Sequence, residues 1–109
     1  MTLGDLIEML EKEPRDKILR NGFHNAHSYR GYYDELAFEP VKYVSVNSII
    51  SLAKTCIGQT FEGYKGGNYT MSEYTPIWLA EYGSTGESIG PTLMSYILAD
   101  EVKPGEEMA

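Results

Sequence analysis

Apolar residues recur along this chain in two different rhythms, and the places where one rhythm replaces the other divide it into elements. Near the start, Leu3, Leu6, Ile7 and Leu10 return at the three-and-four spacing of a helix, whose 3.6-residue turn puts them on one face. Thr2 and Asp5 have the spacing of a capping box, with Asp in place of the usual Glu or Gln. The pattern predicts a first helix over residues 3–12, ended before Pro14. Residues 17–23, Lys-Ile-Leu-Arg-Asn-Gly-Phe, predict a short strand. Residues 36–39 predict a second, stopped by Pro40, and residues 24–35 between them predict a loop.

Ser45 then caps a second predicted helix, in which Val46, Ile49, Ile50, Leu52, Ala53 and Ile57 form a broad apolar face and Gly58 is the terminator. Residues 61–74 are rich in Gly and Tyr, and Gly66-Gly67 marks a turn. Residues 75–82 predict a strand, the central one, with Pro76 at the first position, where a missing N–H costs least. Gly83, Gly86 and Gly90 bracket a further loop. From Pro91, the residues Leu93, Met94, Ile97 and Leu98 suggest a third helix, with a strand left open as the alternative.

Helix, strand, strand, helix, strand, helix lacks the strict alternation of a doubly wound fold. The order predicts an α+β protein, a small antiparallel sheet with two or three helices packed on it. At 109 residues the chain is one domain, over residues 1–102, followed by a polar tail over residues 103–109. It is too small for a deep two-domain cleft, so a bulky ligand would engage a second copy, and a homo-oligomer is the expectation.

Charge changes the picture in the second half. The formal net charge is −7, and residues 61–109 carry eight acids against two bases, whereas residues 21–60 carry three of each. Affinity for duplex nucleic acid is mostly phosphate neutralisation by Lys and Arg, so duplex nucleic acid is excluded as a partner. A basic protein surface suits the chain better. No apolar run approaches the ~18 residues of a membrane span, and no export leader is visible, so the expectation is a cytoplasmic protein that engages no membrane. The single Cys56 falls within the apolar helical pattern and reads as a small buried hydrophobe in a reducing compartment.

The densest candidate chemistry lies in residues 21–33, NGFHNAHSYRGYY. Donors and flat rings stand side by side there, with little to form a regular element. Aromatic faces stack on planar groups, and Arg30 offers a fork of donors to a carboxylate or phosphate. On a binding reading Arg30 pairs a phosphate, Tyr29 or Tyr32 stacks a base, Asn25 or His27 reads polar edges, and Lys65, between Tyr64 and two glycines, adds a second cation. Of the nine tyrosines, Tyr82 and Tyr96 are assigned to the core. His24 and His27 have a metal-like spacing, but without a third histidine or a second cysteine they predict no metal site. No cofactor is expected. The run Gly83 to Gly90 has the glycines of a phosphate loop but not its lysine, and Glu87 within it would repel an anion.

Two stretches, NAHSYRGYYDELAFEP (Asn25 to Pro40) and TFEGYKGGNYTMSEYTPIWLAEYGSTGE (Thr60 to Glu87), resemble small uncharacterised proteins encoded by tailed bacteriophages. The likeness covers most of the chain except the polar tail. It carries over no catalytic residue. It implies a setting, a phage protein acting on host machinery, of which counter-defence is one form.

Three functional expectations follow. The first is a non-enzymatic, homo-oligomeric binder that sequesters a small anionic, nucleotide-derived host molecule. The second is an acidic protein-protein inhibitor of a basic host enzyme. The third is a small nucleotide hydrolase with His24 or His27 as base near Glu35 or Glu81, ranked last because no nucleophile or metal set accompanies the histidines.

Overall fold

A computed structural model describes residues 1–29, 35–62, 67–81 and 85–103. Helix α1 (Leu3–Glu11) starts where its capping signal stands. The Asp5 amide donates to Thr2 Oγ1 at 3.2 Å and the Thr2 amide to Asp5 Oδ2 at 3.0 Å. Two amides that the first helical turn leaves without partners are thereby satisfied, and these bonds to Thr2 hold the Asp5 carboxyl below its ordinary range. Helix α2 (Val46–Cys56) starts at Ser45, whose hydroxyl accepts from the Ser48 amide. The chain leaves α2 through Gly58 at φ +82°, in the left-handed region that glycine enters without strain.

Between the helices runs the longest feature of the fold, an antiparallel hairpin of β1 (Ile18–Ser28) and β2 (Leu36–Ser45). Both strands outrun the sequence reading. Residues 24–28, expected in a loop, belong to β1, and the hairpin closes by a bond from the Tyr29 amide to the Glu35 carbonyl. The disguise is a bulge. The register shifts between His24 and Ala26, with Asn25 at φ +45° as the extra residue. One extra residue breaks the two-residue rhythm by which strands are recognised. Pro40 does not stop β2 either. Only Leu36, Ala37 and Phe38 pair with the next strand on that side, so Pro40 lies where no ladder needs its missing N–H.

Strands β3 (Thr60–Glu62) and β4 (Asn68–Thr70) make a separate antiparallel hairpin, its Phe61 and Tyr69 packed against the core. The predicted 75–82 strand pairs only as β5 (Ile77–Leu79), with β6 (Glu87–Ser88) beyond it. The main sheet has the order β1-β2-β5-β6, so β5 is interior, as expected of it. The α+β class holds, but the sheet is mixed. β2 and β5 run parallel, because α2 and the β3-β4 hairpin intervene and return the chain to the same end, a crossover that parallel pairing requires.

Residues 91–99, left open between helix and strand, form helix α3 (Pro91–Ala99), with Gly90 as N-cap and Pro91 in the first turn. Past it, Leu19 and Glu101 form a bridge, the Arg20 amide donates to Asp100 O and the Val102 amide to Ile18 O. The start of β1's outer edge is covered in this way.

All three helices join one face of the sheet in a single core that includes Leu6, Leu10, Phe23, Leu36, Phe38, Ile49, Ile77 and Met94. Gly22 is needed in it. A Cβ at that position would overlap Val44 Cγ1 and press on Ile49 Cδ1. Cys56 is fully buried there, and burial pushes its thiol up to about 11. Tyr96, assigned to the core from sequence, is instead 73% exposed on α3. Tyr82 lies outside the described residues.

Candidate functional site

Strand alternation sends Ala37 and Trp78 to the face of the sheet opposite the helices, because their neighbours Leu36, Phe38, Ile77 and Leu79 belong to the helix-side core. A second, smaller cluster forms there from Tyr29, Ala37 and Ala80 with Trp78 packed against them. The rings of Tyr29 and Trp78 stack with centroids 4.3 Å apart and planes 5° from parallel. Hydrogen bonds fix both. Trp78 Nε1 donates to Glu35 Oε1 at 3.1 Å, and the Gly86 amide donates to the Tyr29 hydroxyl at 3.4 Å.

This geometry corrects the role read for Tyr29. With 6% of its surface exposed and one ring face against Trp78, it braces the hairpin and offers no platform to a planar ligand. His27 belongs to the same structure. Its Nδ1 stands 3.2 Å from Ser28 O and its Nε2 3.2 Å from Ala80 O. With both nitrogens turned to main-chain carbonyls, the ring tethers β1 to the chain that leaves β5. That placement suits a brace better than a general base, which needs a lone pair aimed at a substrate. Asn25, at the bulge, is exposed. Arg30, Tyr32 and Lys65 lie outside the described residues. His24 pairs across the hairpin with Glu39, while Glu81 is exposed beyond β5. Among the described residues no three His, Cys, Asp or Glu side chains come together as a metal-holding group.

Next to this cluster the surface falls into an open depression of about 530 Å³. Pro40 of β2 forms one wall. Leu79, Ala80 and Glu81 form another, and Thr85, Gly86 and Glu87 close it. Gly86 fits because it lacks a side chain, since a Cβ there would run into the Leu79 carbonyl and Ala80. The charged side chains of this lining are both carboxylates, Glu81 and Glu87, and both residues are exposed. An anion would be repelled here and a cation drawn in.

The sequence named neither Trp78 nor Pro40 as part of a site, and it brought in Gly86 only within a phosphate loop that lacked its lysine. Trp78 alone carried a signal, an aromatic at the alternating position between two aliphatic residues, which a two-sided strand would bury on its second face. Comparison with protein-family models, with characterised proteins and with solved structures gives no match to this chain.

Proposed function

We propose that this chain is a non-enzymatic binding protein that docks a basic partner protein through its acidic second half. One observation carries the reading: the depression between β2 and the β5-β6 hairpin has apolar walls and two exposed carboxylates, Glu81 and Glu87, as its charged lining. Apolar contact supplies affinity, and the carboxylates supply steering and selection for a cationic surface. The excess of eight acids over two bases after residue 60 extends the same field. The resemblance to small tailed-phage proteins supplies a setting, the cytoplasm of an infected bacterium, where the partner is a host enzyme and the outcome is counter-defence.

The test is a pulldown from bacterial lysate at about 0.02 M and about 0.5 M salt, a range that shortens the screening length several-fold. The parent protein captures a basic partner at low salt and releases it at high salt. A Glu81→Lys, Glu87→Lys variant that melts like the parent captures none. A partner retained by that variant, or no partner at low salt, ends this reading.

A second reading, sequestration of a small anionic, nucleotide-derived molecule, is favoured by one feature, the exposed Asn25 at a bulge on the strand that leads to Arg30. In it Arg30 pairs the phosphate with a bidentate contact of roughly 1.5 to 3 kcal/mol. Calorimetric titration with cyclic and ADP-ribose-type nucleotides then shows binding that Arg30→Ala weakens about tenfold or more, at unchanged melting, and that Arg30→Lys does not rescue for want of the planar fork. Equal affinity in the folded Arg30→Ala variant removes the site.

A further inference from the structure

Among the described residues, β2 has no partner past Phe38 on the side of β5. Leu36 donates to Pro76 O and Phe38 accepts from the Ala80 amide, at 3.0 and 2.9 Å, so the even-numbered residues of β2 point their main-chain groups toward β5. Past Phe38 the strand continues to Ser45, and no described residue pairs with it on that side. The alternation of an antiparallel ladder keeps Pro40 turned outward, and its missing N–H is consistent with that because the pair Phe23-Pro40 then exchanges no bond. Lys42 follows with the same orientation. Among the described residues the unpaired edge therefore presents the Pro40 carbonyl, the Lys42 amide and the Lys42 carbonyl, along Glu39 to Lys42, four residues or about 13 Å of strand at ~3.3 Å each, before Tyr43 at φ +60° ends the extended run.

The depression lies in line with β5, on the same side of β2 at Pro40. A peptide strand laid along the vacant edge enters it. There the peptide meets Pro40, Leu79 and Ala80 with its apolar side chains and Glu81 and Glu87 with its charged ones. Charge complementarity decides the occupant. A second copy of this chain would bring a surface of net negative charge to two carboxylates, whereas a cationic segment neutralises them.

We propose that β2 beyond Phe38 receives, by strand addition, an extended segment of the partner protein in which lysine or arginine alternates with apolar residues. This deepens the docking function proposed above and rests on it. The main-chain bonds supply affinity and the depression selects the side chains, the division of labour general to recognition at sheet edges. Pro40 has a place in such a device. It removes one donor from the edge, which discourages pairing with arbitrary strands while leaving the Lys42 amide and two carbonyls for a partner of the right chemistry.

The experiment uses the full chain and three labelled peptides: acetyl-(Lys-Val)₃-amide, the same peptide N-methylated along its backbone, and acetyl-(Glu-Val)₃-amide. Binding is read by fluorescence polarisation at low salt, and amide hydrogen exchange at Lys42 is read by NMR. The lysine peptide binds and slows Lys42 exchange about tenfold or more. Its affinity falls about fivefold in the Glu81→Gln, Glu87→Gln variant, as two exposed ion pairs imply. The N-methylated peptide loses about tenfold or more, because it cannot donate to the edge, and the glutamate peptide does not bind.

The alternatives separate cleanly. If the lysine peptide binds in a carboxylate-dependent way but Lys42 exchange is unchanged and N-methylation costs nothing, strand addition is overturned while acidic docking stands. Absence of binding by the lysine peptide at low salt overturns both. Protection of Lys42 that grows with protein concentration in the absence of peptide gives the edge to a second copy and overturns the proposal.

Discussion

The two faces of the main sheet are filled by different means. On the helix side, Phe23, Leu36, Phe38 and Ile77 are completely buried among the aliphatic residues of α1, α2 and α3, and Phe23 meets Phe38 in a tilted pair at 5.1 Å. The side chains of that assembly meet by packing alone, while main-chain bonds such as Leu3 N–H to Thr75 O and Val46 N–H to Lys17 O anchor the helix ends. On the opposite face the cluster is small and nearly every large group is bonded, Tyr29 to the Gly86 amide, Trp78 to Glu35, and His27 against Ala80 O. Burial of area is non-directional and scales with size, whereas a hydrogen bond adds about 1 kcal/mol and fixes a geometry. The first face stabilises the fold, and the second sets how the β5-β6 hairpin stands against β2, which shapes the depression between them.

The comparison is sharpest where the first face loses most. Phe38→Ala removes a fully buried ring from the helix-side core and costs about 3 to 5 kcal/mol by urea denaturation, without changing the affinity of the folded fraction for a cationic peptide. A change in that affinity comparable to the loss of stability would make the two faces one cooperative unit. Gly22→Ala overpacks the same core against Val44 Cγ1 and costs about 1 to 3 kcal/mol. A neutral result there would show β1 shifting freely away from β2.

On the second face, Trp78→Phe preserves stacking on Tyr29 but withdraws the donor from Glu35. It costs about 1 kcal/mol, and combining it with Glu35→Ala is non-additive, since both report one bond. Additive losses would mean that the stack alone locates the cluster. Tyr29→Phe deletes a 3.4 Å contact to the Gly86 amide, a long bond worth about 0.5 kcal/mol at most. Its effect on peptide affinity exceeds its effect on melting if the second face works by positioning.

An effect absent at neutral pH belongs to Cys56. Burial raises its thiol from 9.0 to about 11 in the folded chain, so between those values the unfolded chain releases a proton that the folded chain keeps. Stability from this group is complete below pH 9 and declines as pH rises through the window. Denaturation of the parent and of Cys56→Ala across pH 8 to 11 isolates the difference, and parallel curves would mean that the thiol ionises in place.

Most of the helix-side architecture was legible in the chain. Thr2 with Asp5, Ser45 and Gly58 signalled the helix ends, and the apolar spacing of α1 and of Val46, Ile49, Ile50 and Ala53 in α2 is the spacing that is buried, whereas Ile57, expected on the same face, is the C-cap of α2 and 42% exposed. The second face was not legible, because it depends on residues that alternate singly between core positions and on a bulge at Asn25 that hides the alternation. Residues 24–28 were read as loop for that reason. Tyr29 looked like a ligand platform because its neighbours are polar, and only the approach of Trp78 from 49 positions further along the chain turns it inward.

Local rules settle what depends on neighbours within one or two helical turns, so the sequence by itself determined helices α1 and α2, two strands on either side of residues 24–35, the α+β class and the uneven charge, and left residues 91–99 open between helix and strand. Tertiary structure alone decided that β5 runs parallel to β2, that β2 outruns its partner, and that Glu81 and Glu87 come to flank Pro40. Those are contacts between residues some forty positions apart, and their pairing depends on how the intervening helix and hairpin pack, which no local pattern records.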